Sequence, residues 1–263
     1  MEETVFLKLG GSLITDKARP ATPRYRIIRR LAREVGLVLQ EAPGLRLLIG
    51  HGSGSFGHQV AARFGTRQGV ETPAQWRGLA EVAAAAARLN RIVADAFLQA
   101  GVPVLCLPPS ASARCRDGAL LHLETHPIEE ALTHGLVPLV YGDVALDEVR
   151  GGTIVSTEEV FAYLAAVLRP TRILLAGSAP GVLDAAGRVI PHIAPEGLPA
   201  LQGVLSGARE TDVTGGMADK VARMAELVRR QPGLRVEILS GLRPGRVYRA
   251  LTEPGAAIST CIA

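Results

Sequence analysis

The sequence predicts an α/β fold: an open three-layer αβα sandwich with a mainly parallel central sheet and antiparallel hairpins at its margin. Short runs rich in branched apolar residues alternate along the chain with longer segments of helical period. Such alternation implies parallel strands whose crossover helices cover both faces of a sheet. The chain has 263 residues, 48% of them hydrophobic, which is enough to bury one substantial core. It shows no internal repeat, low-complexity tract or clear linker, so a single domain over 1–263 is expected.

The first strand is Thr4–Leu9, stopped by Gly10-Gly11-Ser12, and residues 24–40 then carry helical period. Within that helix Arg24, Arg26, Arg29, Arg30 and Arg33 form the solvated side against Ile27, Ile28, Leu31 and Val35. Residues 45–49 make a second strand that runs into the glycine-rich segment 50–57, with a helix expected over 58–64. The longest helical pattern, residues 73–100, repeats Trp76, Leu79, Ala83, Ala86, Leu89, Val93 and Phe97 at spacings of three and four. A strand over 102–107 is closed by Pro108-Pro109, and Arg116-Asp117-Gly118 marks a hairpin turn. Then follow a helix over 128–133, a strand over 136–141, and a second hairpin across 144–155 containing Gly151-Gly152. A helix Thr157–Leu168, a strand over 171–176, a helix Met217–Arg230 and a strand over 235–239 complete the pattern.

Composition narrows the function. The longest apolar stretches fall far short of the roughly 20 residues a membrane-spanning helix needs. The start, Met1 to Thr4 followed by a short apolar run to Leu9, lacks the basic and long apolar regions of a secretory leader, so a cytoplasmic protein is expected. Cys106, Cys115 and Cys261 are odd in number and without CxxC spacing, which argues against a disulfide framework and a zinc site. His122, His126, His134 and His192 lack metal-ligand spacing. The net charge of +4 suits anionic substrates, but the basic residues are scattered, so nucleic acid is not an expected partner.

Of 29 basic residues three are lysine: Lys8, Lys17 and Lys220. A chain so biased toward arginine keeps lysine where a compact ammonium on a slim stem is required. Lys8 stands just before the first glycine turn. A second glycine segment, Gly52-Ser-Gly-Ser-Phe-Gly57, matches the GxGxxG of a dinucleotide turn and also the spacing of a P-loop. For a dinucleotide the acidic ribose partner would be Glu71, which lies in loop; for a P-loop the lysine is replaced by His58. What the readings share is convergent backbone N–H groups and a following helix start, which hold phosphate, although a plain tight turn would use the same glycines.

Four segments together resemble the amino acid kinase superfamily, the isopentenyl phosphate kinases in particular. They are Lys8-Leu-Gly-Gly-Ser-Leu-Ile-Thr-Asp-Lys17, His51-Gly-Ser-Gly-Ser-Phe-Gly-His58, Val140-Tyr-Gly-Asp-Val144 and Thr211-Asp-Val-Thr-Gly-Gly-Met-Ala-Asp-Lys220. The resemblance implies an ATP-dependent phosphotransferase, with ATP and Mg2+, a likeness to homodimers, an acceptor-binding lobe over about 1–168 and a nucleotide-binding lobe over about 169–263. It implies Lys8, Lys17, His58 and Lys220 as catalytic residues. ATP would meet Lys8, Leu9, Gly10, Gly11, Ser12, Gly54, Gly177, Gly216 and Lys220; the acceptor would meet Ser53, Gly54, Gly57, His58 and Thr157. A histidine at 58 resembles the group that hydrogen-bonds the phosphate of isopentenyl phosphate; a helix cap is its structural alternative. His51 reads as structural. No protein ligand for magnesium stands out.

Two segments depart from the family pattern. Ser156-Thr-Glu-Glu159 replaces Ser-Gly-Asp-Asp, placing longer carboxylates where they would orient the lysines, and Leu175-Ala-Gly-Ser-Ala-Pro-Gly181 replaces Leu-Thr-Asp-Val-Asp-Gly. The first bears on acceptor fit, the second on nucleotide contacts. Alternatives on the same evidence are a kinase of another small phosphate or phosphonate such as fosfomycin, a silent nucleotide-binding regulator, and a dinucleotide oxidoreductase. Trp76, Leu79, Ala83 or Ala86 would wall an apolar acceptor pocket, or simply pack in the core.

Overall fold

A computed structural model describes residues 3–197, 216–255 and 259–263. Its centre is β1 (Thr4–Leu9), buried along its whole length. Strand alternation sends Val5, Leu7 and Leu9 to one face of the sheet and Phe6 and Lys8 to the other. On one side β1 pairs in parallel with β2 (Arg46–His51), followed outward by β6 (Val137–Tyr141) and the edge strand β3 (Val104–Cys106). On the other side it pairs in parallel with β9 (Arg172–Gly177), then β11 (Arg235–Ser240). Beyond these lie β12 (Ser259–Ile262), antiparallel to β11, and β10 (His192–Ile193).

The helices cover both faces, as the alternating pattern predicts. Against Val5, Leu7 and Leu9 pack α2 (Tyr25–Glu41), α4 (Pro73–Gln99) and α8 (Arg246–Thr252), through Leu31, Val93 and Leu251 among others. Against Phe6 pack α5 (His126–Thr133), α6 (Thr157–Leu168) and α7 (Met217–Arg230), through Leu132, Phe161 and Met224. Phe6 and Phe161 meet edge-on with ring centroids 5.1 Å apart. Helix starts are written in the sequence: α4 has a capping box between Thr72 and Gln75 with Pro73 behind it, and α6 has one between Ser156 and Glu159.

The hairpins expected at the margin form a four-stranded sheet of their own, in which β4 (Arg114–Arg116), β5 (Ala119–His122), β7 (Asp143–Asp147) and β8 (Gly151–Val155) stand in the order β5-β4-β7-β8. Some expectations need correction. Strand β3 is three residues long, shorter than the apolar run 102–107. The helix after the glycine loop, α3 (Gly54–Phe64), begins inside that loop, four residues before the expected start. Phe56 is buried there and the N–H of Ser55 donates to Thr15 Oγ1 at 3.0 Å, so tertiary contacts override the low helix propensity of the glycines. A four-residue helix α1 (Gly11–Ile14) precedes the loop that leads to α2.

Candidate active site

Strands β1, β2, β6, β9 and β11 all end at one edge, and the cleft opens there. From β1 the chain passes to β2, on to the edge strand β3 and back inward to β6, then crosses to the opposite side of β1 for β9 and β11. That reversal leaves a crevice outside the strand ends, the usual ligand position in an open parallel sheet. Into it point the starts of α1, α3, α6 and α7, through Gly11, Ser53, Thr157 and Met217. Helix starts present unpaired N–H groups and partial positive charge, so four of them around one crevice favour a polyanion.

The two glycine segments touch. A Cβ on Gly11 would lie 2.6 Å from the Gly54 nitrogen, and Gly54 has φ +49, with Thr15 Oγ1 where its own Cβ would have to go. Side chains at these two positions would force apart the β1 and β2 ends, so the glycines bring two N–H-rich turns into backbone contact. Thr15 Oγ1 donates to Gly11 O at 2.7 Å and accepts from Ser55, stitching the turns together.

All three lysines line this cleft. Lys8 is buried on β1 and pairs with Glu158 on α6; Lys220 on α7 reaches the same Oε1 at 3.9 Å. Burial pushes the Glu158 carboxyl up, but Lys8 and Lys220 outweigh it and hold the group below its ordinary value of 4.5. It therefore stays ionised and fixes two ammoniums. Lys17 reaches the cleft from the exposed loop after α1. Glu159 faces Arg67 at 3.3 Å and Arg223 at 3.4 Å.

A second, smaller cavity branches from the cleft. Ser53, His58, Gly142 and Ile154 line both spaces. Beyond them Ala61, Val82 and Ala86 make the branch apolar, with Arg67 and Asp143 at its margin. Burial raises the Asp143 carboxyl, which accepts N–H groups of Ser110 at 3.1 Å and Val144 at 2.9 Å. Of the four residues expected to wall an apolar pocket, Ala86 does so. Leu79 and Ala83 pack in the neighbouring core cluster, and Trp76 lies partly exposed beside Gly151. Val82, one turn before Ala86, is the wall residue that the sequence reading passed over.

The remaining residues fall as follows. Gly10, Gly11, Ser12, Ser53, Gly54 and Gly177 line the cleft. Leu9 does not: its side chain is in the core, and its carbonyl accepts the Gly52 N–H at 3.1 Å. Gly57 lies in the branch against Ser53, and Gly216 is the N-cap of α7, next to the cleft-lining Met217. Thr211 to Gly215 lie outside the described residues. Thr157 lines the cleft, but its hydroxyl donates to His51 O at 2.7 Å, so its proton is committed to the fold. Room for its methyl comes from Gly50, where a Cβ would meet Thr157 Cγ2 at 2.6 Å; the branched residue is accommodated by a glycine opposite it.

His58 sits inside α3, which removes the reading of it as a helix cap. His51 is structural: burial lowers its pKa to about 4, its ring nitrogens lie 3.2 Å from Gly52 O and 3.1 Å from the Asn90 amide, and it stacks on Tyr141. The departure at Leu175 to Gly181 forms cleft wall, with Ser178 Oγ 3.3 Å from Ser12 Oγ. Among the described residues no group of three or more His, Cys, Asp or Glu could hold a metal, and no helix is long and apolar enough to cross a membrane.

Comparisons with known proteins point to one family. The amino acid kinase family profile matches residues 3–240. The isopentenyl phosphate kinase of Methanothermobacter thermautotrophicus is 33% identical to this chain over 94% of each. That of Haloferax volcanii is 39% identical over 85% of this chain and 88% of its own length. A crystal structure of an isopentenyl phosphate kinase superposes with a TM-score of 0.82 at 28% identity, covering 99% of this chain and 100% of that one.

Proposed function

Because the chain belongs to the amino acid kinase family and, within it, to the isopentenyl phosphate kinases, we propose that its cleft transfers the γ-phosphoryl group of ATP to isopentenyl phosphate. The products are isopentenyl diphosphate and ADP. The observation that carries this reading is the meeting of two spaces at Ser53, His58, Gly142 and Ile154: a lysine-lined cleft and a small apolar branch. An acceptor with a phosphate at one end and a short hydrocarbon tail at the other fills both.

The chemistry asks for alignment and charge neutralisation more than for covalent help. A phosphate monoester loses its second proton near pH ~6, so the attacking oxygen is already anionic at neutral pH and no general base is required. Ser53, the start of α3 and His58 hold the acceptor phosphate, while the Val82 and Ala86 side of the branch receives the tail. Gly10, Gly11 and Ser12, with Lys8 and Lys220 fixed by Glu158, hold the nucleotide phosphates on the other side of the glycine contact. Lys17 reaches over the transferring group. Magnesium, bound to the nucleotide, adds positive charge on the phosphate oxygens. In this reading the acceptor side falls mainly in 1–168 and the nucleotide side in 169–263, with Lys8 and the first glycine turn crossing between them. A cytoplasmic homodimer completes the proposal, on the family likeness.

His58→Ala tests the acceptor assignment. Loss of a hydrogen bond to an anion, worth about 1.5–3 kcal/mol, raises the Michaelis constant for isopentenyl phosphate about tenfold or more, while that for ATP moves much less. His58→Gln recovers part of the loss, because its amide still donates. Steady-state kinetics with each substrate varied separately decide the point; a change confined to the ATP constant would place His58 on the donor side and remove the assignment.

A further inference from the structure

Phosphoryl transfer as described uses neither Glu159 nor its two arginines, yet these side chains join the two halves of the site. Glu159 lies in the first turn of α6 beside Glu158, with its side chain 11% exposed. Its Oε2 accepts the Ser156 N–H at 2.6 Å, which pins the carboxylate in the capping box. Its Oε1 is left facing Arg67 and Arg223.

Each arginine belongs to a different side. Arg67 comes from the segment between α3 and α4 and lines the apolar branch with His58. It also donates to Ile154 O at 3.5 Å, and its own carbonyl accepts from Thr153 Oγ1 at 3.2 Å, so it clips the acceptor wall to β8. Arg223 stands one turn beyond Lys220 on α7. Adjacent carboxylates therefore hold α7 through two cations, Lys220 on Glu158 and Arg223 on Glu159, and Glu159 holds the acceptor wall as well.

We infer that Glu159 is a positioning residue that couples the acceptor side to the nucleotide side, so that occupancy of either raises affinity for the other. The inference rests on the phosphotransfer reading given above. An acceptor seated against α3 restrains Arg67; an ordered Arg67 fixes the Glu159 carboxylate; and that carboxylate holds the helix bearing Lys220 in place for the nucleotide. Linkage makes the effect reciprocal. The planar guanidinium of Arg67 serves two acceptors at once, Ile154 O and Glu159, which a lysine ammonium at that place would do poorly.

The test is a calorimetric titration of isopentenyl phosphate, with and without a saturating non-hydrolysable ATP analogue and magnesium. In the wild-type protein the analogue tightens acceptor binding about fivefold or more, the lower range of ordinary site-to-site coupling. In Glu159→Gln and in Arg67→Met the factor falls toward one, and Arg67→Lys restores little of it. A purely structural role would weaken both ligands or lower the melting temperature and leave the factor unchanged. An unchanged factor in Glu159→Gln, or a factor of one in the wild type, overturns the coupling. Should Glu159→Gln fail to fold, Arg67→Met and Arg223→Met, altered at partly exposed side chains, decide it by the same factor. A wild-type protein that binds the nucleotide analogue but never isopentenyl phosphate overturns the acceptor reading itself and the coupling with it, and does so before any variant is made.

Discussion

Lys17→Arg lowers kcat by about a hundredfold or more, the range for loss of one well-placed transition-state donor, with little change in melting temperature. Charge is conserved, but the guanidinium is broad and planar and does not occupy the point beside the transferring group where a slim ammonium fits. Stability is spared because Lys17 lies on an exposed loop, outside the core clusters. Initial rates at saturating ATP and acceptor, with a melting curve on the same preparation, check both halves. Wild-type turnover in this variant would remove Lys17 from the catalytic set.

Glu158→Gln costs both turnover and stability. From the sequence alone, carboxylates that orient the lysines from a helix start predict a lower kcat with little loss of stability. The structure changes that expectation, since Glu158 is buried and neutralises the buried Lys8. Removing its charge takes the Glu158 carboxylate from a buried ammonium in a poorly solvated place, a loss of about 3 kcal/mol. It also frees Lys8 and Lys220 from their common anchor, so kcat falls as well. The pH dependence has a definite sign. Lys8 and Lys220 depress the folded-state pKa of Glu158 below 4.5, so its contribution to stability is present above that value and is lost as pH falls through the folded value. In the variant that part of the acid sensitivity disappears. Urea melts at neutral and acid pH, with kcat measured alongside, test these statements; full stability and full turnover together would show the pair to be incidental.

Much of this site was legible in the residues. Lysine is scarce in an arginine-rich chain, and all three lysines meet in one cleft although 212 positions separate the first from the last (220 − 8). The two glycine turns also stood out along the chain, and they meet at the cleft, because backbone N–H groups without Cβ obstruction are a local property. Less legible was whatever depends on contact between distant segments. The start of α3 inside the glycine loop is fixed by Thr15 and the burial of Phe56, neither of which a helical period reports. The separate hairpin sheet pairs β4 with β7 across an intervening helix and two strands, an arrangement that alternation along single strands does not encode. Helix α8 is seven residues long, and its first turn is held by the distant Glu34, which accepts from Gly245 at 3.0 Å and Tyr248 at 3.2 Å.

The acceptor branch shows the same division. One apolar stripe on α4 supplies core and pocket alike, and the division depends on what lies opposite: Ala86 lines the branch, Leu79 packs into a small core cluster, and Val82 belongs to both. Thr157 in place of a glycine looked damaging in the sequence, yet the compensating space at Gly50 lies more than a hundred residues away, 157 against 50. Pairs of this kind are steric, and spacing along the chain does not report them.

The central claim is that this cleft phosphorylates a small phosphate monoester with a short hydrocarbon tail. An ADP-release assay with ATP and magnesium, run in parallel on isopentenyl phosphate, dimethylallyl phosphate, fosfomycin, carbamate, glutamate and UMP, tests it most directly. The account predicts the highest kcat/KM with isopentenyl phosphate, a lower value with its isomer, and little or no release with the carboxylate, carbamate and nucleotide acceptors. Preferred turnover of fosfomycin, or of any acceptor without a phosphate group, would contradict it.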